Sequence, residues 1–564
     1  MKFTGTGKAD TFVGKAKVAD IFQFTPKTLS ASDKILGGGG TTTDELRFTA
    51  AGTIASGSFA KVSGIELIRL ANGSNNLTVT NALVGSANGD VLKVVGGSGN
   101  DVIKASGVTT AANRVQITAG AGNDTLTGGA GADKFSFKAK DLTGSDKVVG
   151  GGGSAIDQLV FTTAGKIAAS AFARVSGIEQ IVLAKGSNSL TVTDALVGSA
   201  TGDLLKVTGG SGNDVIKAAA VTKAANRVQI TAGKGNDTLT GGAGSDKFSF
   251  AAKDLTGSDK VVGGGGSAID QLVFTTSGTI AASAFAKVSG IEKIVLAKGS
   301  NSLTVTDALV GSATGDLLRV TGGSGNDVIN GVGVKTTSHR LIISGGEGND
   351  TIIAGSGADT LDGGAGADSF SFTAMNLTGS DTVVGGEGSA VDRLVFTMAG
   401  TIAASAFAKV SGIEKIVLAK GSNSLTVTDA LVGSATGDLL RVTGGSGNDV
   451  INGVGVKTTS HRLIISGGEG NDTIIAGGGA DTLDGGAGAD SFSFTAMNLT
   501  GSDTVVGGEG SAVDRLVFTT AGTIAASAFA KVSGIEQIVL ANGPNNLTLT
   551  NALVGSATGD ILRV

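Results

Sequence analysis

The feature that most constrains the fold is a long tandem repeat. The string GGSGNDVI begins at Gly96, Gly209, Gly322 and Gly444, with spacings of 113, 113 and 122 residues. Such periods are typical of solenoids and arrays, in which each unit buries its core against its neighbours. We divide the 564 residues into a degenerate N-terminal capping repeat (1–92), repeats 1 to 3 (93–205, 206–318 and 319–440), and repeat 4 with the start of a further repeat (441–564).

A nine-residue module accounts for the difference between the two spacings. Repeats 3 and 4 carry three consecutive nonapeptides, which in repeat 3 are GGEGNDTII (345–353), AGSGADTLD (354–362) and GGAGADSFS (363–371). Repeats 1 and 2 carry two, which in repeat 1 are AGAGNDTLT (119–127) and GGAGADKFS (128–136). Repeats 3 and 4 differ at only nine positions, among them Ser356 against Gly478. Near-identical copies indicate that length or a periodic surface is what the protein requires.

Each nonapeptide follows the pattern G-G-x-G-x-D-x-U-x, in which U is apolar. Its glycines allow a tight turn, its aspartate adds a carboxylate, and its last residues, such as Val102 and Ile103, form a short strand. Two modules make a turn of about 18 residues, and turns stack as parallel strands roughly 4.8 Å apart. The facing carbonyl and carboxylate oxygens suit Ca²⁺. Because stacked carboxylates repel each other without a cation, we expect folding to be coupled to calcium.

This motif, which recurs about a dozen times at nine-residue spacing, resembles the RTX (repeats-in-toxin) family of secreted calcium-binding β-roll proteins. The resemblance implies that the aspartates of matching modules bind several Ca²⁺ ions per chain. In the family, calcium lies between loops one full turn apart, and the pairs Asp350–Asp368 and Asp472–Asp490 fit that spacing best. The expected ligands are Asp101, Asp124, Asp133, Asp214, Asp237, Asp246, Asp327, Asp350, Asp359, Asp368, Asp449, Asp472, Asp481 and Asp490.

Other loops depart from the pattern. GGGGSAIDQLVF (150–161) places its aspartate two residues late, and LTGSDKVV (142–149) has a shortened loop. The capping repeat keeps Asp10 and Asp20 but has lysines where glycines belong. An alternative interpretation of all these Gly-Asp loops is a tight turn without metal. The irregular candidate ligands are Asp146, Asp157, Asp259, Asp270, Asp381, Asp392, Asp503 and Asp514.

Between the glycine blocks lies a segment such as 162–208, whose short alternating runs predict strands and whose SAFARV predicts one helical turn. We expect calcium-free, wider rungs of the same right-handed parallel β-solenoid. Asn188, Asn301 and Asn423 either form side-chain amide bonds at a bend or lie in a solvated turn. Phenylalanines at strand ends, as in KFSF (134–137), predict an internal aromatic stack. The expected fold is all-β, an elongated rod of about 25–30 turns and roughly 120–150 Å.

One added nonapeptide raises a question of geometry. A single module is half a turn, so it should exchange the sides of everything that follows it in the repeat. Either the longer repeats compensate elsewhere, or their loops face the other way.

Composition excludes several classes of protein. There is no cysteine, and therefore no disulfide, thiolate nucleophile or Cys-based zinc site. The charge of −5, from 43 basic and 48 acidic residues, implies no basic face for nucleic acid. No apolar run approaches the ~18 residues of a membrane span. An enzyme is not expected, because His339 and His461 are one position in two copies and no nucleophile, zinc or phosphate-loop motif is present.

These features predict a calcium-binding structural protein of the bacterial cell surface that folds outside the cell and assembles with itself into a surface layer, filament or matrix. The start, MKFTGTGKADTFVG, has no apolar signal region, so export would need another route. The resemblance to the RTX family implies type I secretion, whose C-terminal signal would lie beyond the final ILRV. Cell-surface polysaccharide is a second expected partner. The alternative is the stalk of an RTX adhesin. A third interpretation, an ice- or polysaccharide-binding face, is disfavoured, because flat Thr-x-Thr ladders are expected for ice and TVT occurs at most once per repeat.

Overall fold

The computed structural model describes residues 1–386, 388–508 and 510–564 and is an all-β parallel β-solenoid with little helix. By their internal contacts the residues form two compact units, Met1–Val273 with Ser283–Ile291, and Phe274–Ala282 with Glu292–Val564. The chain makes about 24 turns. This architecture confirms the predicted fold class.

In the first unit, each turn contributes strands to two faces. One face is a continuous sheet of Lys2–Thr4, Ile21–Phe24, Glu45–Phe48, Leu67–Arg69, Val91–Val95, Arg114–Thr118, Lys134–Phe137, Gln158–Phe161, Gln180–Val182, Leu204–Thr208, Arg227–Thr231, Lys247–Phe250 and Gln271–Phe274, whose last residue belongs to the second unit. The other face has three shorter sheets: Thr11–Val13, Lys34–Leu36 and Val62–Ser63; then Thr53–Ile54, Asn76–Thr78, Val102–Lys104, Thr125–Thr127, Lys147–Val149 and Val175–Ser176; then Lys166–Ile167, Ser189–Thr193, Val215–Ala220, Thr238–Thr240, Lys260–Val262 and Val288–Ser289.

In the second unit, one face is a 12-stranded sheet. Its strands are Thr279–Ile280, Ser302–Thr306, Val328–Gly333, Thr351–Ile353, Ser369–Phe372, Arg393–Phe396, Lys415–Val417, Leu439–Thr443, Arg462–Glu469, Thr482–Ala487, Thr504–Gly508 and Val532–Ser533. The other face runs through Lys293–Val295, Leu317–Thr321, Arg340–Glu347, Thr360–Ala365, Thr382–Gly386 and Val410–Ser411; then Thr401–Ile402, Ser424–Thr428, Val450–Gly455, Thr473–Ile475, Ser491–Phe494, Arg515–Phe518 and Gln537–Val539; then Thr523–Ile524 and Asn546–Leu547.

The helices are single turns in the corners. The α-helical turns are Asn81–Gly85, Asp194–Val197, Asp307–Val310, Asp429–Ser434 and Asn551–Val554. The 3₁₀ turns are Ser56–Phe59, Asn88–Asp90, Ala169–Phe172, Thr201–Asp203, Ala282–Phe285, Thr314–Asp316, Ala404–Phe407, Thr436–Asp438, Ala526–Phe529 and Thr558–Asp560. The turn at Ala169–Phe172 confirms the helical turn predicted for SAFARV. No helix in the described part of the chain is long and apolar enough to cross a membrane.

The register gives the length of each turn. In repeat 1, successive Cα partners on one face are Lys93, Gln116, Lys134, Gln158, Gln180 and Lys206. The five turns therefore span 23, 18, 24, 22 and 26 residues. The 18-residue turn is the one built from two nonapeptides, as predicted. Three of the other turns, at 23, 24 and 26 residues, are wider than the 18–22 residues assumed in the sequence analysis, so fewer turns are formed.

The added nonapeptide does exchange the two faces. In the second unit, Leu317–Thr321 pairs with Arg340–Glu347 on one face. The corresponding segment one repeat later, Leu439–Thr443, lies in the 12-stranded sheet on the other face. The longer repeats do not compensate for the half-turn, so their loops face the other way. Each of them makes five and a half turns.

The interior consists of one apolar side chain from every second strand position, with phenylalanines stacked in register. Phe137 lies opposite Phe161, and both rings are buried. In the first turns, the rings of Phe3 and Phe22 stack with their centroids 5.0 Å apart. The predicted aromatic stack is therefore present at these positions, and it packs the core.

The side-chain amides of the buried asparagines form hydrogen bonds at a bend, so these residues do not lie in solvated turns. The side chain of Asn188 is 3% exposed. Its Nδ2 donates to the carbonyl oxygens of Ala184 (2.9 Å) and Gly186 (2.7 Å) and to Asp214 Oδ1 (2.8 Å). Asn301 and Asn423 make the same three bonds. This asparagine therefore closes its own bend and ties it to the aspartate of the next turn.

Candidate metal centre

The aspartates of the glycine loops form hydrogen-bonded ladders along the edges of the solenoid. The backbone N–H of Asp327 donates to Asp350 Oδ1, that of Asp350 to Asp368 Oδ1, and that of Asp368 to Asp392 Oδ1, each over 2.7 Å. We call each such column a carboxylate ladder. All fourteen aspartates of the regular modules are buried, and in each the Oδ1 accepts a backbone N–H from the preceding turn.

Residues that the sequence analysis did not connect with the site end these ladders. At one end, the N–H of Asn301 donates to Asp327 Oδ1 over 2.7 Å. At the other end, the N–H of Asp392 donates to Glu414 Oε2 over 2.8 Å. Glu179 and Glu536 occupy the same position after Asp157 and Asp514. The recurring sequence SGIE, 22 residues after each late aspartate, was the signal for this role.

The second carboxylate oxygen separates the fourteen aspartates into two groups. In eight of them, Oδ2 accepts the N–H of a glycine four residues earlier in the same loop, as Asp359 does from Gly355 over 2.9 Å. These eight are Asp101, Asp133, Asp214, Asp246, Asp327, Asp359, Asp449 and Asp481. In the other six, Oδ2 is buried and has no hydrogen-bond partner among the described residues. These six are Asp124, Asp237, Asp350, Asp368, Asp472 and Asp490.

The aspartates of the shortened loops stabilise their own turns. Asp146 Oδ2 accepts the N–H and the hydroxyl of Thr143, over 2.7 and 2.9 Å. Asp259, Asp381 and Asp503 do the same with the threonine three residues earlier. The late aspartates Asp157, Asp270, Asp392 and Asp514 each accept the N–H of the aspartate one turn before. For the shortened loops, the geometry agrees with tight turns whose carboxylates are already satisfied.

The aspartates of the capping repeat also accept hydrogen bonds from their own loops. Asp10 Oδ2 accepts the N–H of Thr6 over 2.6 Å, and Asp20 Oδ2 accepts the N–H of Lys15 over 2.6 Å. Its aspartates therefore close loops in the way that the shortened loops do.

The six carboxylates with a free oxygen have raised pKa values, a property that they share with hydrogen-bonded loop aspartates such as Asp133 and Asp359. Burial, together with the neighbouring carboxylates of Asp368 and Asp327, raises the pKa of Asp350 to about 6. Burial also raises the pKa of Asp124, Asp237, Asp472 and Asp490 to about 6 and that of Asp368 above its usual value. A bound cation would reverse this penalty, because it favours the ionised carboxylate.

The glycines bring main-chain oxygens to the same place. A Cβ on Gly345 would overlap Asp350 Oδ2, and a Cβ on Gly364, whose φ is +99°, would overlap the carbonyl oxygen of Gly346 in the preceding turn. Loops of successive turns thus pack backbone on backbone, with carbonyl oxygens beside the carboxylates. Such all-oxygen surroundings fit Ca²⁺.

Within the described ranges, no three His, Asp or Glu side chains converge on one point. Carboxylates alone therefore do not make the site. A calcium site at Asp350 and Asp368, or at Asp472 and Asp490, would need carbonyl oxygens of the stacked loops to complete its ligand set.

A family model identifies the same segments. The RTX calcium-binding nonapeptide repeat (4 copies) matches residues 93–107, 116–137, 229–252, 319–332, 342–370, 441–454 and 464–492. These ranges contain all six aspartates with a free Oδ2.

Curated proteins provide no match. Among solved structures, the crystal structure of PEPR1-AtPEP1 aligns with 95% of this chain and 75% of its own, at 12% identity and a TM-score of 0.25. The plant peptide hormone receptor RGFR1 in complex with RGF2 aligns with 95% of this chain and 84% of its own, at 10% identity and a TM-score of 0.22. These TM-scores are too low to relate the folds. The matched segments are the loops that carry the carboxylate ladders, so this parallel β-solenoid contains RTX calcium-binding nonapeptide repeats.

Proposed function

We propose that this chain is a secreted structural protein that completes its folding when Ca²⁺ binds the stacked loops outside the cell, and that it then assembles with copies of itself into a surface layer, filament or matrix. One observation carries the calcium-dependent part: six buried carboxylate oxygens have no hydrogen-bond partner in the described chain. Burying an ionised group without a partner costs several kcal/mol. A divalent cation offsets that cost. In the cytosol, where calcium is low, the cost would remain and would disfavour the folded state.

The repeats differ in the number of aspartates whose Oδ2 is free to bind calcium. Repeats 1 and 2 each have one such aspartate, Asp124 and Asp237. Repeats 3 and 4 each have two in consecutive turns, Asp350 with Asp368 and Asp472 with Asp490. We expect these pairs, with main-chain carbonyls of the stacked loops, to hold calcium most tightly, because ligand charge raises calcium affinity.

Periodic exposed side chains support the assembly part. Met375 and Met497 are 87% and 88% exposed at equivalent positions of repeats 3 and 4. Val332 and Val454 are similarly exposed one repeat apart. Met375 follows a strand of the 12-stranded sheet and Met497 follows a strand of the other face, so the same apolar contact points are presented on two faces, which suits contact with another copy.

The experiment is a Ca²⁺ titration of the calcium-stripped full chain, followed by far-UV circular dichroism and negative-stain electron microscopy. We expect a cooperative gain of β signal and then ordered sheets or fibres. The double variant D368N/D490N should need more calcium. The control D362N/D484N removes two exposed carboxylates from the same stacks and should not.

Each outcome decides between the candidates. Folding with calcium into dispersed single particles favours the adhesin stalk over self-assembly. Complete folding in the absence of calcium refutes the calcium-dependent part of the proposal.

A further inference from the structure

One face of the first unit carries an unbroken column of lysines and glutamines. Eight successive turns place the same kind of residue at one register position. The column, which we call the Lys–Gln ladder, consists of Lys93, Gln116, Lys134, Gln158, Gln180, Lys206, Gln229 and Lys247. Each residue lies between two neighbours in the chain that are buried, so its side chain points outward.

No acidic residue lies in the strands that carry this column; Glu45, at the same register position two turns before Lys93, is paired with Arg47 and Arg69. The eight strands that carry it contain four lysines, two arginines and no aspartate or glutamate. The two arginines, Arg114 and Arg227, lie two positions before Gln116 and Gln229. Within the described part of the chain, none of the four lysines forms an ion pair. Four cations thus remain available to an external anion.

The first unit as a whole also has a net positive charge. It contains 28 lysines and arginines against 22 aspartates and glutamates, whereas the second unit contains 15 against 26. Many of the acidic residues of the first unit are the buried loop aspartates, which face the carboxylate ladders rather than the sheet surface. Calcium bound there would make the unit more positive still.

We propose that the Lys–Gln ladder binds a linear acidic polysaccharide that runs along the solenoid. The lysines recur after two, three and two turns, which at roughly 4.8 Å per turn places them about 10–14 Å apart. That spacing suits a chain with one carboxylate per few sugar rings. The glutamines between them present amide donors and acceptors to hydroxyl groups. Gln158 Nε2 donates to Gln180 Oε1 over 3.1 Å, which orders two of these amides.

Nucleic acid fits this face less well. Duplex DNA carries one charge per ~1.7 Å of axis, far denser than the lysines of this column. Single strands are bound largely by stacking on exposed aromatic rings. The phenylalanines of these strands, among them Phe135, Phe161 and Phe248, are all buried. A sparse polyanion rich in hydroxyl groups is the better match.

The sheet on the opposite face supplies a matched control. It also carries exposed lysines in repeats 1 and 2, among them Lys104, Lys147, Lys217 and Lys260. This face consists of separate short sheets: Lys104 and Lys147 lie in one, and Lys217 and Lys260 lie in another. The four lysines therefore form no continuous column. Changing either set to glutamine alters the net charge equally.

The test measures binding of calcium-loaded full-length protein to hyaluronan, which has one carboxylate per disaccharide, by biolayer interferometry at two salt concentrations. The ladder variant K93Q/K134Q/K206Q/K247Q should weaken binding at least tenfold. The control K104Q/K147Q/K217Q/K260Q should change it less than twofold. Wild-type binding should weaken with added salt and be absent for neutral dextran.

Other results would overturn the inference. Equal weakening by both variants would mean non-specific attraction to a basic unit. Tighter binding of single-stranded oligo(dT) than of hyaluronan would assign the face to nucleic acid. No binding of hyaluronan by the folded wild type, verified by circular dichroism, would remove the proposal, whatever the outcome for assembly, because the ladder does not depend on self-association.

Discussion

The backbone N–H of Asp350 donates to Oδ1 of Asp368, one 18-residue turn later, over 2.7 Å, while the Oδ2 atoms of both residues are buried without a partner. One oxygen of each carboxylate therefore belongs to the fold and the other is free for a ligand. The same residue can therefore hold two turns in register through Oδ1 and offer Oδ2 to a cation.

The first prediction follows from that division and concerns Asp350→Asn. An amide keeps the acceptor for the N–H of Asp327 but removes a buried negative charge. Without calcium, the variant should be more stable than the wild type, because the penalty of an unpaired buried carboxylate is gone. With calcium, it should be less stable and bind roughly tenfold more weakly or worse, because a charged ligand is lost. Thermal unfolding in both states checks this, and a change of the same sign in both would contradict it.

The second prediction concerns pH in calcium-free solution. Burial raises the pKa values of Asp350, Asp472 and Asp490 in the folded chain to about 6, against the usual 3.8 of an aspartate exposed to water. The folded state therefore binds more protons than the unfolded state between about pH 4 and 6, so the free energy of unfolding falls as pH rises through this window. Calcium-free protein should melt at a higher temperature at about pH 5 than at about pH 8. Saturating calcium at pH 8 should restore the loss, and melting that is independent of pH would refute the account.

The third prediction concerns loop packing at Gly364. Its φ of +99° and the carbonyl of Gly346 leave no room for a side chain. Gly364→Ala should cost at least about 1–2 kcal/mol through backbone strain alone and should lower the calcium affinity of repeat 3. Gly152→Ala is the control, since a Cβ there meets open space. Denaturant titration of both variants compares them, and equal stability would show that the loops can move apart.

How far the sequence predicts this molecule is clearest at particular residues. The nonapeptide pattern predicted the 18-residue turn between Gln116 and Lys134, because glycine loops and apolar positions alternate at a fixed period. The pattern could not separate Asp101 from Asp124, because both residues end the same G-N-D sequence. Only the three-dimensional stack decides whether a loop glycine N–H reaches Oδ2, as Gly97 does for Asp101.

The wider turns were harder to predict for a related reason. Their corners contain short helical turns, such as Asp194–Val197, whose threonine cap accepts the N–H of Leu196. A four-residue turn has too little periodicity to stand out in a sequence. The role of Glu414 was missed because a single glutamate before an apolar run resembles any exposed residue.

The fourth prediction uses the absence of cysteine from the chain. In the intact protein Ile353 and Ser371 are Cα partners in adjacent strands. Deleting residues 354–362 should place Ser371 beside Ser344 instead, as Ser136 lies beside Thr118 in repeat 1. An engineered cysteine pair at 353 and 371 should oxidise readily only in the intact length, and a pair at 344 and 371 only in the deletion, because paired Cα atoms lie within disulfide range. Disulfide yield on non-reducing gels reports the result, and the opposite pattern would contradict the exchange of faces.

The exchange of faces makes the number of nonapeptides a matter of parity. An even number of additions returns every later side chain to its original side, and an odd number inverts the two sides. Repeats 3 and 4, each longer by nine residues, together restore the original orientation. A gene that gains or loses one module can therefore turn a binding surface from one side of the molecule to the other without changing a single residue in that surface.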